Sequence, residues 1–289
     1  MNNQDQLYRF IFEDVGVRGE LVQLDASWRA ILERYDYPET VSRQLGQSIA
    51  ASLLLSATIK FEGSLILQSQ SEGPLTTLVA QATHQRTVRG LARWNAEVPD
   101  GRLAEVFGPG KIVITIDNQS KERYQGIVGL NGENLSQALE GYFETSEQLA
   151  SRFWLAASQE RAAGLFIQEL PNDDHDKEHW QRIEMLANTV TDNELLNLEP
   201  TELLHRLFHE EQVRLFDPEP VAFRCGCSSE RIESTLKAMG QTEVSQILKE
   251  QGEIEANCEF CNKRYRYDQV DIERLFAQDI PLSGSSSKH

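Results

Sequence analysis

The first 224 residues contain no cysteine. A disulfide-stapled secreted protein spreads its cysteines along the chain, so that class does not fit most of this molecule. Long apolar runs are missing too: none approaches the ~20 residues a spanning helix requires. Positive charge is scarce, with 28 Lys and Arg against 45 Asp and Glu, a net charge of −17. That balance disfavours general binding to phosphate backbones and favours solubility and self-repulsion. The first six residues, Met1 to Gln6, have neither the basic nor the apolar segment of a secretory signal, so a cytoplasmic protein is expected. What is present is ordinary for a soluble globular chain: 289 residues, 40 % hydrophobic and 25 % charged. A chain near 300 residues hides about three quarters of its unfolded surface, enough for a real core.

Charge and periodicity divide the chain into three parts and a tail. Residues 1–171 carry 15 basic and 21 acidic residues. Strand-like runs there, bounded by Gly, Pro and Asp, are Arg18–Leu24, Ser64–Ser71, Leu78–Ala82, Lys111–Ile116, Tyr124–Leu130 and Leu165–Leu170. Between them, Pro38–Ile59 predicts a long apolar core helix, and Asn134–Gln148 a second helix with Leu135, Leu139 and Phe143 at fourfold spacing. The expected fold class is α+β, with an N-terminal α/β core domain.

Residues 172–220 differ, with thirteen acidic residues against four basic ones. Trp180, Ile183 and Leu186 share a helical face. Thr191 and Glu194 form a capping box before Leu195, Leu196 and Leu198, and Leu203, Leu204, Leu207 and Phe208 form another apolar stripe. Asp217-Pro218-Glu219-Pro220 ends the segment. It reads as an acidic helical linker, either packed steadily on the main domain or covered only conditionally. Its charge repulsion is expected to weaken docking and to keep an undocked form soluble.

Residues 221–278 read as a small module: a strand at Val221–Arg224, helices at Ser229–Met239 and Thr242–Glu250, a hairpin of Glu253–Ala256 with Lys263–Tyr267, and a short helix at Asp271–Ala277. The Ser-rich stretch at residues 279–289 reads as a disordered tail.

All four cysteines lie in this module: Cys225 and Cys227 as C-x-C, then 30 residues, then Cys258 and Cys261 as C-x-x-C. In an extended strand, side chains at i and i+2 point the same way, and a C-x-x-C turn converges two sulfurs likewise. Two such pairs predict four tetrahedral thiolates, the closed coordination of structural zinc. The alternatives are two disulfides in an oxidising compartment, or four unconnected thiols. Four thiolates on Zn²⁺ leave a local charge of about −2, which Arg224, Lys263, Arg264 and Arg266 are placed in sequence to offset. So small a module is marginal without a staple, so the metal is expected to supply much of its folding free energy. Thiolates are also what oxidants attack. Their oxidation expels zinc, and each pair can then close locally, Cys225–Cys227 and Cys258–Cys261, the C-x-C bridge being a tight ring. This chemistry suggests a redox-operated folding switch, although many zinc ribbons share it without being switches.

No other constellation makes an enzyme. His205 and His209 are i, i+4, but Arg206 stands where a zincin needs Glu. His175 and His179 lie in an acidic run, and His84 and His289 are isolated. Gly126, Gly129 and Gly132 do not form a phosphate-binding glycine motif, and no nucleophile elbow occurs. Ser229 occupies the position of a zinc deaminase's Glu. The run Lys263-Arg264-Tyr265-Arg266-Tyr267 interleaves cations with aromatics and keeps one alternative open: a zinc ribbon binding nucleic acid or a protein partner.

C-G-C, 30 residues and C-E-F-C near the C-terminus is the arrangement of the heat-shock protein 33 family, the redox-regulated chaperones, and the chain resembles that family over nearly its whole length. RGELVQL at 18–24, YDYPETV at 35–41, LLLSATIKFEG at 53–63, ERYQGIVGL at 122–130 and LHRLFHEEQVRLFDPEPVAFRCGC at 204–227 carry the resemblance upstream. It implies an ATP-independent holdase that is inactive when reduced and zinc-loaded. Oxidation with unfolding stress would release zinc, form two bridges, and unfold the C-terminal module and linker. The exposed surface would capture unfolding client proteins. It further implies a homodimer when active and transfer of clients to ATP-dependent foldase chaperones; no membrane partner is expected, and the total charge argues against nucleic acid.

Overall fold

A computed structural model describes residues 5–13, 15–118, 123–130, 132–171 and 177–277. His175 and the Ser-rich tail lie outside the described residues. The chain divides into two compact units, residues 1–224 and residues 225–289.

In chain order the first unit contains β1 (Gln6–Phe12), β2 (Val17–Leu24), α1 (Ala26–Leu32), α2 (Glu39–Thr58), β3 (Gly63–Ser71), β4 (Leu75–Thr83), β5 (Thr87–Trp94), α3 (Leu103–Phe107), β6 (Gly110–Asn118), β7 (Tyr124–Gly129), α4 (Leu135–Tyr142), β8 (Ser151–Ala157), β9 (Ala162–Glu169), α5 (Lys177–Ala187), α6 (Asp192–Asn197), α7 (Pro200–Phe208), β10 (Val213–Leu215), β11 (Glu219–Pro220) and β12 (Ala222–Phe223). One antiparallel sheet has the order β10-β1-β2-β9-β8, with β11 also paired to β1; a second runs β12-β5-β4-β3-β6-β7. All pairs in the second are antiparallel except β12 with β5.

Helix α2 packs against strands of both sheets, which explains why it is apolar around most of its circumference. Its buried serines satisfy themselves locally: Ser42, Ser48, Ser52 and Ser56 each donate to a backbone carbonyl three or four residues back, at 2.8–2.9 Å. Contact is close enough that β5 needs a glycine beneath it. A Cβ on Gly90 would stand 2.7 Å from Ile49 Cδ1 and 2.9 Å from the Val79 carbonyl.

The linker helices cover the outer face of the first sheet. Strand β2 alternates between two cores: Val22 and Leu24 join the main core with α2, while Val17 and Leu21 join a second core with the linker. Phe10 and Phe12 of β1, and Leu165 and Ile167 of β9, also face the linker. Trp180, Ile183, Leu195, Leu203, Leu204, Leu207 and Phe208 are all buried there, with Leu186, Leu196 and Leu198 partly covered. The apolar stripes read from the sequence are therefore docked in this structure. Polar contacts fix the register: Gln23 Nε2 donates to the carbonyls of Leu195 and Leu198, both at 2.8 Å, and Arg161 Nη1 donates to that of Leu196 at 3.0 Å. The T-x-x-E box caps α6 as the sequence predicts.

After the linker helices, residues 213–224 run along the edges of both sheets. Glu219 accepts from Arg86 Nε at 2.8 Å and forms an ion pair with Arg9, Nε to Oε1 2.8 Å. Val221 is buried in the main core, and Ala222–Phe223 extends the second sheet beside β5. Val221–Arg224 thus packs as part of the first unit, whereas the sequence placed it at the start of the cysteine module.

The second unit contains α8 (Ser229–Met239), α9 (Gln241–Gln251), β13 (Ile254–Asn257), β14 (Arg264–Tyr267) and α10 (Gln269–Ala277). Ser228 caps α8 by accepting from the Arg231 N–H, and Gly240, at φ 93°, separates α8 from α9. Its core is small: Leu236, Val244, Ile254, Tyr265, Tyr267, Ile272 and Leu275, together with Cys258. Among the described residues, the largest fully buried side chains all belong to the first unit.

Candidate metal centre

The two cysteine pairs are built differently. Cys225 and Cys227 flank Gly226 in irregular chain just before the capped start of α8. Cys258 and Cys261 sit in the tight connection between β13 and β14. There the Cys258 N–H donates to the Lys263 carbonyl at 2.9 Å, and the Asn262 N–H donates to the Cys258 carbonyl at 2.7 Å. Asn262 takes the left-handed conformation, φ 56°, that closes the knuckle.

The fold brings all four sulfurs to one point. Each lies within 4.8 Å of every other. Cys225 Sγ is 3.6 Å from Cys258 Sγ, and Cys227 Sγ is 3.4 Å from Cys261 Sγ. Zn–S bonds of about 2.3 Å in a tetrahedron place sulfurs about 3.8 Å apart, so the residues present fit a Zn²⁺ ion. Disulfide sulfurs would stand at about 2.0 Å; these cysteines are free thiols. Among the described residues this is the one group of three or more Cys, His, Asp or Glu with converging ligand atoms.

The electrostatics favour a shared charge. Burial pushes the Cys225 thiol up and the Cys261 thiol up to about 12. At Cys227 burial also opposes ionisation, but the Tyr265 hydroxyl and the neighbouring thiols outweigh it and lower it to about 7. Without a metal the cluster therefore concentrates negative charge at Cys227. A divalent cation would let all four sulfurs ionise and act as ligands.

The basic residues near the cysteines do not all face them. Strand β14 alternates, so Tyr265 and Tyr267 are buried while Arg264 and Arg266 are exposed. Both arginines turn to Glu255 on β13, at 4.0 and 3.2 Å. Lys263 Nζ lies 5.0 Å from the Tyr265 ring centroid. With exposures of 6 % and 7 %, the two tyrosines present no open face for base stacking. Sequence reasoning missed the inward role of Tyr265, although the period-2 alternation of RYRY signals it. Within the first unit, His84 Nδ1 accepts from the Gly63 N–H at 3.0 Å, and the His205 and His209 rings stand 5.8 Å apart on α7.

Comparison with known proteins agrees with this architecture. A family model described as Hsp33 protein matches residues 5–268. The 33 kDa chaperonin of Nitrosococcus oceani is 60 % identical over 289 residues, all of both chains. That of Pseudomonas aeruginosa is 43 % identical over 297 aligned positions, again across both full chains. In fold, the chain resembles the crystal structure of the 33 kDa chaperonin of Thermotoga maritima, with a TM-score of 0.83 at 23 % identity, covering 96 % of this chain and all of the other. A family match spanning both units, with relatives aligned end to end, places this chain in the Hsp33 family of chaperonins.

Proposed function

We propose that the protein is a redox-regulated, ATP-independent holdase of the cytoplasm, not an enzyme, whose four cysteines hold one Zn²⁺ in the inactive state. The observation that carries this reading is the convergence of Cys225, Cys227, Cys258 and Cys261 in a unit with so small a core. Zinc bound there crosslinks the start of α8 to the β13–β14 connection. It thereby contributes folding free energy that the apolar contacts of so small a unit do not supply alone.

Oxidation reverses this. Forming Cys225–Cys227 and Cys258–Cys261 removes two electrons per bridge, so one hydrogen peroxide per bridge, taking up two protons and leaving as two waters, balances each step. Sulfurs tied up in two bridges could no longer hold a zinc ion. Because a metal at the four converging sulfurs would be the main crosslink of a unit with so small a core, losing those ligands couples oxidation to unfolding. The linker, whose docked face hides an extensive apolar surface, is the second element of the switch. Its release would expose both that surface and the face of the first sheet to unfolding clients. The same reading includes a homodimeric active form and delivery of clients to ATP-dependent foldases. Burial of both tyrosines of β14, pairing of its arginines with Glu255, and the net charge of −17 favour this reading over the nucleic-acid alternative.

The test is metal stoichiometry. Reduced protein should carry one zinc per chain, and Cys225→Ser/Cys258→Ser should carry none. Two zincs per chain, or full retention in the double variant, would rule the assignment out.

A further inference from the structure

Among the described residues, Tyr265 Oη is the buried side-chain oxygen of the second unit that has no hydrogen-bond partner. Its neighbour on the same face of β14, Tyr267, donates to the Ser229 carbonyl at 3.3 Å. Tyr265 is no less buried, yet no carbonyl or carboxylate serves it. Lys263 covers the ring, not the hydroxyl. The polar group that acts on this phenol most strongly is the Cys227 sulfur, with Cys261 and Cys258 behind it. All four cysteines pack in the same small core as Tyr265.

A phenol without a partner is costly in a core, and Phe would fill the same space without that cost. A neutral thiol accepts weakly, whereas a thiolate accepts strongly. The hydroxyl therefore lacks a partner in the thiol state and gains one when the sulfur beside it becomes a ligand. We propose that Tyr265 is a positioning residue of the metal centre, its hydroxyl donating to the Cys227 sulfur when that sulfur is a metal-bound thiolate. This rests on the zinc reading above and goes beyond it in assigning a residue that sets how firmly the metal is held. A donor on the sulfur withdraws charge from a cluster that carries about −2 with its zinc and makes Cys227 a poorer nucleophile towards peroxide. Tyr265 thus raises the oxidant exposure at which the centre opens.

The experiment uses full-length Tyr265→Phe, which removes one hydroxyl and keeps the ring. In Co²⁺-loaded protein the thiolate-to-cobalt charge-transfer bands should move to lower energy, because a sulfur that has lost a hydrogen bond gives up its electron more readily. Packing alone would leave those bands in place. Zinc affinity, measured by competition with a chromogenic chelator, should fall about tenfold, and peroxide should release zinc severalfold faster. Tyr267→Phe, whose hydroxyl bonds a carbonyl, should leave the bands unshifted. If Tyr265→Phe fails to take up cobalt, wild-type chain carrying 3-fluorotyrosine keeps the ring and strengthens the donor, and the bands must then move to higher energy. Unshifted bands with unchanged zinc affinity would overturn the role of Tyr265 alone. Wild-type protein that takes up no stoichiometric metal would overturn the zinc reading and this proposal with it.

Discussion

Glu20 lies on β2 at 2 % exposure, and its Oε2 has no partner. Burial raises its pKa to about 7, against the opposing pull of Arg18, Arg9 and Arg86. A carboxyl whose folded pKa exceeds its unfolded value contributes stability that is complete below about 4.5 and is lost as the pH rises through about 7. The first unit should therefore lose stability to urea between pH 5 and pH 8, by up to about 3 kcal/mol from this group. Glu20→Gln should remove most of that slope and be the more stable form at pH 8. All four tryptophans precede Cys225, so tryptophan fluorescence reads this unit alone. An identical slope in both proteins would contradict the assignment. Nothing in the sequence around Glu20 reveals this group: only the closure of the core over it explains its state.

At the scale of elements, the linker holds on through particular contacts. Phe208 packs edge-on to Phe12 at 4.9 Å and lies 6.2 Å from Phe10. Replacing such a buried aromatic with Ala typically costs about 3–5 kcal/mol. Phe208→Ala should therefore undock Lys177–Phe208 in the reduced, zinc-loaded protein, seen as lost hydrogen-exchange protection, and should raise basal suppression of client aggregation. An undocked linker without that gain would remove the linker from the mechanism. The sequence treats the linker's acidity as uniform repulsion, but the structure sorts it. Glu184 pairs with Arg152 at 2.5 Å, Glu194 with Arg206 at 2.5 Å, and Glu211 takes Arg182 in a two-pronged pair at 2.7 and 3.0 Å. Glu184→Gln should thus loosen the linker, whereas Gln at exposed Glu202 should tighten it; the same exchange experiment checks both. The helices were legible because their stripes and caps are local signals. Strand β5 was not, because Gly90 interrupts its apolar run for the sake of Ile49 on a distant helix. In β9, the small residues Ala162, Ala163 and Gly164 hid half of a strand whose two faces serve different cores.

For the whole molecule, the contrast between the units is what makes a metal-gated response possible. The first has two extensive cores and the second a single small one, joined by cysteines. Removing zinc by chelator should unfold Cys225 to Ala277 while tryptophan fluorescence upstream stays unchanged; persistent protection across Ile254–Tyr267 without metal would contradict this. The sulfur cluster was legible because C-x-C and C-x-x-C spacings act locally. How the two pairs meet was not, since that depends on how the start of α8 packs against the β13–β14 connection. Nor was the placement of Val221–Arg224, which adjoins the cysteines in sequence but follows the open edge of β5 in space. The most direct test follows zinc content and suppression of client aggregation together in one sample, during peroxide treatment at elevated temperature. The account predicts that loss of one zinc per chain and the gain of activity rise together, and that both reverse with reductant and zinc. Full activity with zinc retained, or complete zinc loss with no activity, would contradict it.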